Sequence, residues 1–290
     1  MIASNRQTPD APVNSAKAAA SALAPAPSEP ILRREDIAGV AILTLNRPAA
    51  RNSLSEAMLE ALSGAFTSVA RDREVRAVIV AANGPAFSAG HDLKELNARR
   101  SDEDRGRAYF KHIMGLCSGM MQQIVMLPQP VIAAVQGTAT AAGCQLVASC
   151  DLAVASRAAK FATPGVNIGL FCSTPMVALS RNVPRKHAME MLLTGESITA
   201  EDAARIGLIN QVVAPGEERE AALELAKKIT AKSALTLKIG KEAFYRQAEM
   251  TLDEAYAFAS EVMVENMMAR DAEEGISAFI DKRPPRWENR

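Results

Sequence analysis

The chain has 290 residues, 48% of them hydrophobic and 23% charged, and Lys plus Arg and Asp plus Glu both total 33, so the formal net charge is zero. That balance supplies no field to attract nucleic acid or an anionic membrane surface, and no run reaches the roughly 18 apolar residues of a membrane span. The length suits one large domain or two modest ones, with room for a sizeable core. Cys117, Cys144, Cys150 and Cys172 form no C-x-x-C pair and have no histidine at ligand spacing. They read as free thiols of a reducing compartment, and no metal site is expected.

In chain order, residues 1–30 are rich in Ala, Pro and Ser, as in "APVNSAKAAASALAPAPSEP". Nothing there has a period that would build a core, and the segment reads as a disordered tail. Arg6 and Lys17 with few acids faintly resemble a transit peptide, whereas Asp10 and the many prolines favour a plain extension. The α/β core is expected over 31–215. "VAILTLN" (40–46), "RAVIVAANG" (76–84), "PVIAAVQG" (130–137) and "DLAVAS" (151–156) are short apolar runs, mostly ended by Gly, Asn or Pro, and predict buried strands. Ser53 with Glu56, and Thr199 with Asp202, have the spacing of a capping box and predict helix starts. From about 217 to 280 the period is helical throughout, so a helical C-terminal region is expected over 216–290.

Two strand-to-helix loops stand out. "AFSAGHDLKEL" (86–96) follows one predicted strand, and "GTATAAGCQLVASCD" (137–151) follows another. Small residues let a ligand approach the backbone, and free N–H groups at a helix start favour negative charge. Two such groups converging on one point make an oxyanion hole, while the plainer reading is close packing. A dinucleotide site does not fit, because "GTATAAG" lacks the middle glycine and the spacing of G-x-G-x-x-G. Asp92 has the place of a helix cap.

"LNRPAARNSLS" (45–55), the two loops, "RNVPRKHAMEMLLTGESITAEDAARIGLINQVV" (181–213) and "FIDKRPPRW" (279–287) together resemble the crotonase superfamily, the enoyl-CoA hydratases and isomerases. The resemblance spans nearly all of 36–287. It implies a spiral of ββα units and a helical C-terminal region that packs in trimers, often stacked as hexamers. It also implies a coenzyme A thioester as ligand, with coenzyme A entering as part of the substrate and no cofactor bound permanently. By the same resemblance the thioester carbonyl would lie between the backbone N–H groups of His91 and Ala142. Ala89 would meet the adenine, Arg51 would reach a CoA phosphate, and Phe279 and Lys282 would close over the nucleotide, commonly that of a neighbouring subunit. As plain side chains, Arg51 and Lys282 read equally as solvated charges and Phe279 as core.

The family's two catalytic glutamates correspond to Gln145 and Gly165. An amide has no titratable proton near pH 7 and glycine has only backbone, and each positioned acid or base is typically worth about 10² to 10⁴ in rate. Efficient hydration is therefore not expected. His91 could shuttle a proton, although the family uses only its backbone. Asn167, Cys172, Ser173 and Thr174 follow Gly165, with Cys172 expected as an inert thiol. His112 and His187 lie in helical segments with no acid at chemical spacing in the sequence. Three functions remain open on these residues: an enzyme acting on acyl-CoA by oxyanion stabilisation, through isomerisation, decarboxylation or thioester hydrolysis; a non-catalytic acyl-CoA binder in lipid metabolism; and an assembly protein that has lost its ligand.

Overall fold

A computed structural model describes Met1 and residues 29–290. Residues 2–28 of the expected tail lie outside the described residues. The chain opens with the antiparallel hairpin β1 (Leu32–Ile37) and β2 (Val40–Leu45), followed by α1 (Glu56–Arg71). Three ββα turns come next. The first is β3 (Ala77–Ala82) and β4 (Ala86–Ser88) with α2 (Leu93–Ala98) and α3 (Arg107–Met126). The second is β5 (Val131–Val135) and β6 (Thr138–Thr140) with α4 (Ala142–Ser149). The third is β7 (Leu152–Ser156) and β8 (Lys160–Ala162) with α5 (Pro175–Asn182) and α6 (Arg185–Thr194). After β9 (Ile198–Thr199), α7 (Ala200–Arg205) and β10 (Gln211–Val213) come α8 (Glu218–Thr230), α9 (Ala234–Gln247), α10 (Leu252–Met267) and α11 (Arg270–Ile280).

The longer strands form one sheet in the order β1-β2-β3-β5-β7-β10, and the short ones a second in the order β4-β6-β8-β9. From β2 to β10 the first sheet is parallel. This is the expected spiral, each turn adding one strand to each sheet. The apolar runs read as strands because alternate residues bury on opposite faces. Leu43, Val78, Val80 and Ala133 enter one core, while Ile42, Ile79, Ile132 and Val154 enter another that Ala222 and Ala226 of α8 cover. The boundary expected near 215 thus falls just before a helix that packs on the sheet.

One helix start differs from expectation. Ser53 does not cap α1; Ser55 does, its Oγ accepting from the Met58 N–H at 3.3 Å. Arg51 and Asn52 both have positive φ, and Leu54 pairs with His91 as an isolated bridge, so the backbone is held out of helix until residue 55. Thr199 caps α7 as expected, accepting from the Asp202 N–H at 3.1 Å.

Beyond α8, helix α9 is anchored to the core through a buried lysine. Lys241 Nζ on α9 donates to Asp151 Oδ2 at 2.6 Å, to the Ile124 carbonyl at 2.9 Å and to the Gln129 carbonyl at 3.0 Å. Tyr245 Oη donates to the other carboxylate oxygen at 2.9 Å. Burial pushes the lysine pKa down, with Asp151 opposing it. Beyond this anchor, Phe244, Leu252, Tyr256, Met263 and Met268 lie exposed on or beside α9 and α10.

Candidate functional site

Strands β4 and β6 are parallel neighbours, so the loops that leave them, 89–91 and 141–142, emerge side by side. The packing is close enough to require glycine. A Cβ on Gly143 would strike the carbonyl oxygen and Cβ of Ser88, and Gly90 has φ +83° with Ala141 Cβ 2.9 Å from where its own Cβ would stand. Ala141 itself has φ 50° and ψ −120°, a conformation that costs a residue with a Cβ on the order of 1 to 3 kcal/mol. Its N–H donates to the Ala162 carbonyl at 2.9 Å, which fixes the head of α4 against the third ββα turn.

The first loop is stapled to the segment before α1. The Ala89 N–H donates to the Arg51 carbonyl at 3.0 Å and the Leu54 N–H to the Gly90 carbonyl at 2.8 Å. Asn52, fully buried, donates to the carbonyls of Asn83 and Ala86, both at 2.8 Å, and accepts from the Arg47 N–H at 2.8 Å. Ser88 Oγ donates to the Asn52 carbonyl at 2.9 Å. Asp92 caps α2, as expected, and also receives the Ser53 hydroxyl at 3.0 Å and Arg47 at 3.4 Å. Burial raises its pKa, but Ser53, the Lys94 and Glu95 N–H groups and Arg47 outweigh that and hold the carboxyl below its usual range.

This frame presents two donors. The N–H groups of His91 and Ala142 have no acceptor among the described residues, and an N–H at the first position of a helix has none within the helix. Gln145 lies one helical turn beyond Ala142 and is buried, its Oε1 without a partner among the described residues. Gly165 sits in the 3-10 turn Pro164–Ile168. Its N–H donates to Cys172 Sγ at 3.3 Å and its carbonyl accepts from the Leu170 N–H at 2.9 Å. A Cβ on Gly165 would stand 2.7 Å from the Leu170 carbonyl oxygen and 2.9 Å from Cys172 Sγ. The place of a side chain is filled by the returning segment.

Burial lowers the His91 pKa, and neither ring nitrogen has a hydrogen-bond partner of good geometry among the described residues. The imidazole is neutral at pH 7. Burial pushes the Cys172 thiol up and that of Cys144 up to about 12, so both are poor nucleophiles, as expected of Cys172. His112 does have an acid partner, contrary to the reading of its sequence neighbourhood. Because α3 packs on α1, its Nε2 stands 3.0 Å from Glu56 Oε1, at the surface. His187 is 4.0 Å from Glu190 Oε2, also exposed.

The structure thus brings Arg51, Ala89, His91, Ala142, Gln145 and Gly165 onto neighbouring turns. Phe279 lies in the last turn of α11 and Lys282 two residues beyond the helix, both exposed, and α11 packs against α10. Sequence reading missed Asn52, Ser88 and Thr163. A lone Asn before a serine gives no sign that its backbone will take φ 51°, and Thr163 is a polar residue whose complete burial only the fold decides.

The model of the enoyl-CoA hydratase/isomerase family matches residues 35–290. The chain belongs to that family. Among its relatives, rat enoyl-CoA hydratase domain-containing protein 3, mitochondrial, is 47% identical over 287 residues, covering 97% of this chain and 93% of the rat protein. The human protein of the same name is 49% identical over 249 residues, with 86% and 80% covered. Its crystal structure superposes with a TM-score of 0.84 at 47% identity, covering 89% of this chain and 100% of that one. An enoyl-CoA hydratase of Mycobacterium smegmatis gives a TM-score of 0.85 at 53% identity, with 89% and 99% covered. The branch of the rat and human proteins is the one that "SAGHDLKEL" and "FCSTP" resemble. The fold of this enoyl-CoA hydratase/isomerase family member is accordingly the crotonase spiral.

Proposed function

We propose that the chain binds an acyl-CoA thioester whose carbonyl oxygen accepts from the His91 and Ala142 N–H groups, and that any chemistry there runs through oxyanion stabilisation. The observation that carries this reading is the pair of unpartnered donors on adjoining loops, held by the Asn52 and Asp92 networks. One such donor is worth roughly 10² to 10³ in rate where a thioester develops negative charge. Gln145 and Gly165 offer no proton, so hydration is slow, and isomerisation, decarboxylation or thioester hydrolysis are the chemistries that depend less on two glutamates. The segment 170–172 closing on Gly165 favours a second reading, an acyl-CoA binder in lipid metabolism without turnover.

Coenzyme A enters with the substrate, with Ala89 beside the adenine, Arg51 at a phosphate, and Phe279 and Lys282 from a neighbouring copy. The apolar side chains on α9, α10 and α11 support a trimer or a dimer of trimers, since so much exposed apolar surface marks an interface. The names of the rat and human relatives place those proteins in mitochondria. By that likeness a eukaryotic chain would work in the matrix and a bacterial one in the cytoplasm.

Calorimetry with acetoacetyl-CoA and longer acyl-CoA esters tests the reading. Saturable heat at up to millimolar ligand supports it, and no heat with no thermal shift removes it. Arg51→Ala and Lys282→Ala are expected to weaken CoA esters more than the matching pantetheine esters, which lack the nucleotide phosphates. Light scattering at micromolar protein is expected to give a trimeric or hexameric mass.

A further inference from the structure

The sheet of longer strands has a second face, and at its upper end lies a cavity to which neither 89–91 nor 141–142 contributes a wall. Successive residues of a strand point to opposite faces. Ala81 and Ala134 point with Ile79 and Ile132 toward α8, away from the core that holds Phe87 and Ala139 of the short strands. By the same alternation Thr44 follows Ile42 on that side, in register with Ala81, and Gln136 follows Ala134. These positions are at the carboxyl ends of β2, β3 and β5, the end at which open parallel sheets commonly hold ligands. With Glu218 and Arg219 at the head of α8 they line one cavity of about 260 Å³. The small side chains of Ala81 and Ala134 leave that space open.

The wall is rich in unmet acceptors. Gln136 Nε2 donates to the Gly84 carbonyl at 3.0 Å, which fixes the amide and leaves Oε1 buried with no partner among the described residues. Thr44 is 7% exposed, and its hydroxyl has no partner among them either. Glu218 is 8% exposed; its Oε2 accepts from the Gly216 N–H at 3.0 Å, and no cation pairs with it among the described residues. A carboxylate buried this far is rarely left without one. Arg219 does not supply it, because its guanidinium pairs with Glu35 of β1.

These three groups fix the chemistry of what fills the cavity. An anion would meet Glu218, which with Glu220 already answers the positive end of α8. A divalent metal would find one carboxylate, and no group of three or more His, Cys, Asp or Glu side chains among the described residues could hold a metal ion. An apolar molecule would leave the carboxylate uncompensated. A primary ammonium carries one positive charge and three N–H donors and accepts nothing. The cavity exceeds the volume of a single water, about 30 Å³, so it admits a short carbon chain behind the ammonium.

We infer that this cavity binds a small primary alkylammonium compound, its three N–H groups donating to Glu218 Oε1, Gln136 Oε1 and Thr44 Oγ1. The site is independent of the thioester reading, since it uses the other face of the sheet and none of the residues assigned to the acyl-CoA.

The test is saturation-transfer NMR on the full chain, with n-butylammonium, tetramethylammonium and n-butanol as probes. n-Butylammonium is expected to bind saturably in the millimolar range. Tetramethylammonium has the charge without N–H groups, and n-butanol has the chain without the charge; each is expected to bind about tenfold more weakly. Glu218→Gln keeps an acceptor for the Gly216 N–H and removes the charge, and is expected to weaken n-butylammonium about tenfold. Gln136→Met, which keeps length and removes the acceptor, is expected to weaken it about threefold. Circular dichroism identifies a variant that fails to fold, and the comparison of the three probes on the unaltered chain decides without any variant. Equal binding of tetramethylammonium or n-butanol, an affinity that survives Glu218→Gln, or no saturable binding of n-butylammonium at tens of millimolar would each overturn the site.

Discussion

The Gly165 N–H donates to Cys172 Sγ at 3.3 Å, and Leu170 and Cys172 stand where a Cβ on residue 165 would go. Residue 165 carries no side chain, and the fold of 170–172 therefore closes the space one would need. Gly165→Ala is expected to cost about 1 to 3 kcal/mol, as overpacking commonly does, measured by urea denaturation with an unchanged slope.

Hydration can be tested on the same ground. The unaltered chain is expected to hydrate crotonyl-CoA very slowly, and Gln145→Glu with Gly165→Glu is expected to gain little and to melt earlier, because the second carboxylate has no room. Brisk hydration by the unaltered chain, at a kcat within the ordinary range of about 1 to 10³ per second, would show that another residue moves the proton.

His91 should make stability depend on pH. Burial lowers its folded pKa below the ordinary value of 6.5, so between the two values the unfolded chain holds more protons than the folded one. Stability is then full above pH 6.5 and falls as the pH drops through it. Denaturation midpoints measured from pH 8 to 5.5 are expected to decline, and His91→Gln is expected to flatten the decline.

Lys241 and Asp151 are 7% and 16% exposed at their side chains, and removing one partner strands the other. Lys241→Met is expected to lose about 3 to 5 kcal/mol, whereas the double change with Asp151→Leu should recover part of it. A double-mutant cycle by chemical denaturation reads the coupling.

At the C-terminus, Glu274 accepts from Arg283 at 2.7 and 3.0 Å and from the Arg286 N–H at 2.8 Å. The Arg283 guanidinium and that N–H hold its pKa down to about 2, against 4.5 ordinarily. A depressed carboxylate stabilises above its unfolded value, so the contribution is lost as pH falls from 4.5 toward 2. Trp287, the one tryptophan, lies beside Gly275 and donates to the Ala231 carbonyl, so its fluorescence reports this segment. Its emission is expected to shift across that window, and Glu274→Gln should produce the shift already at pH 7.

The strands were legible because two-sided burial leaves continuous apolar runs, and both loops because small residues cluster where β4 and β6 end. Other features depend on contacts between distant parts of the chain. Ser53 and Ser55 are equally good caps locally, and the Leu54 bridge to His91 decides between them. His112 and Glu56 are 56 residues apart, and only the packing of α3 on α1 joins them. Gly165 reads as an absence in the sequence, while the structure shows the space occupied from 170 to 172. Phe279 was open between core and ligand cover, and it is 85% exposed in the single chain.

His91 and Ala142 are delivered by two strands that lie next to each other in one parallel ladder. The two loops therefore leave neighbouring strands, about 4.8 Å apart, and the Asn52 and Asp92 side chains hold the first of them in place. A point substitution at residue 145 or 165 changes a side chain beside the His91 and Ala142 donors without altering the ladder that carries their loops. Residues such as Gln145 and Gly165 can therefore vary while the backbone frame beneath them persists for as long as the chain folds.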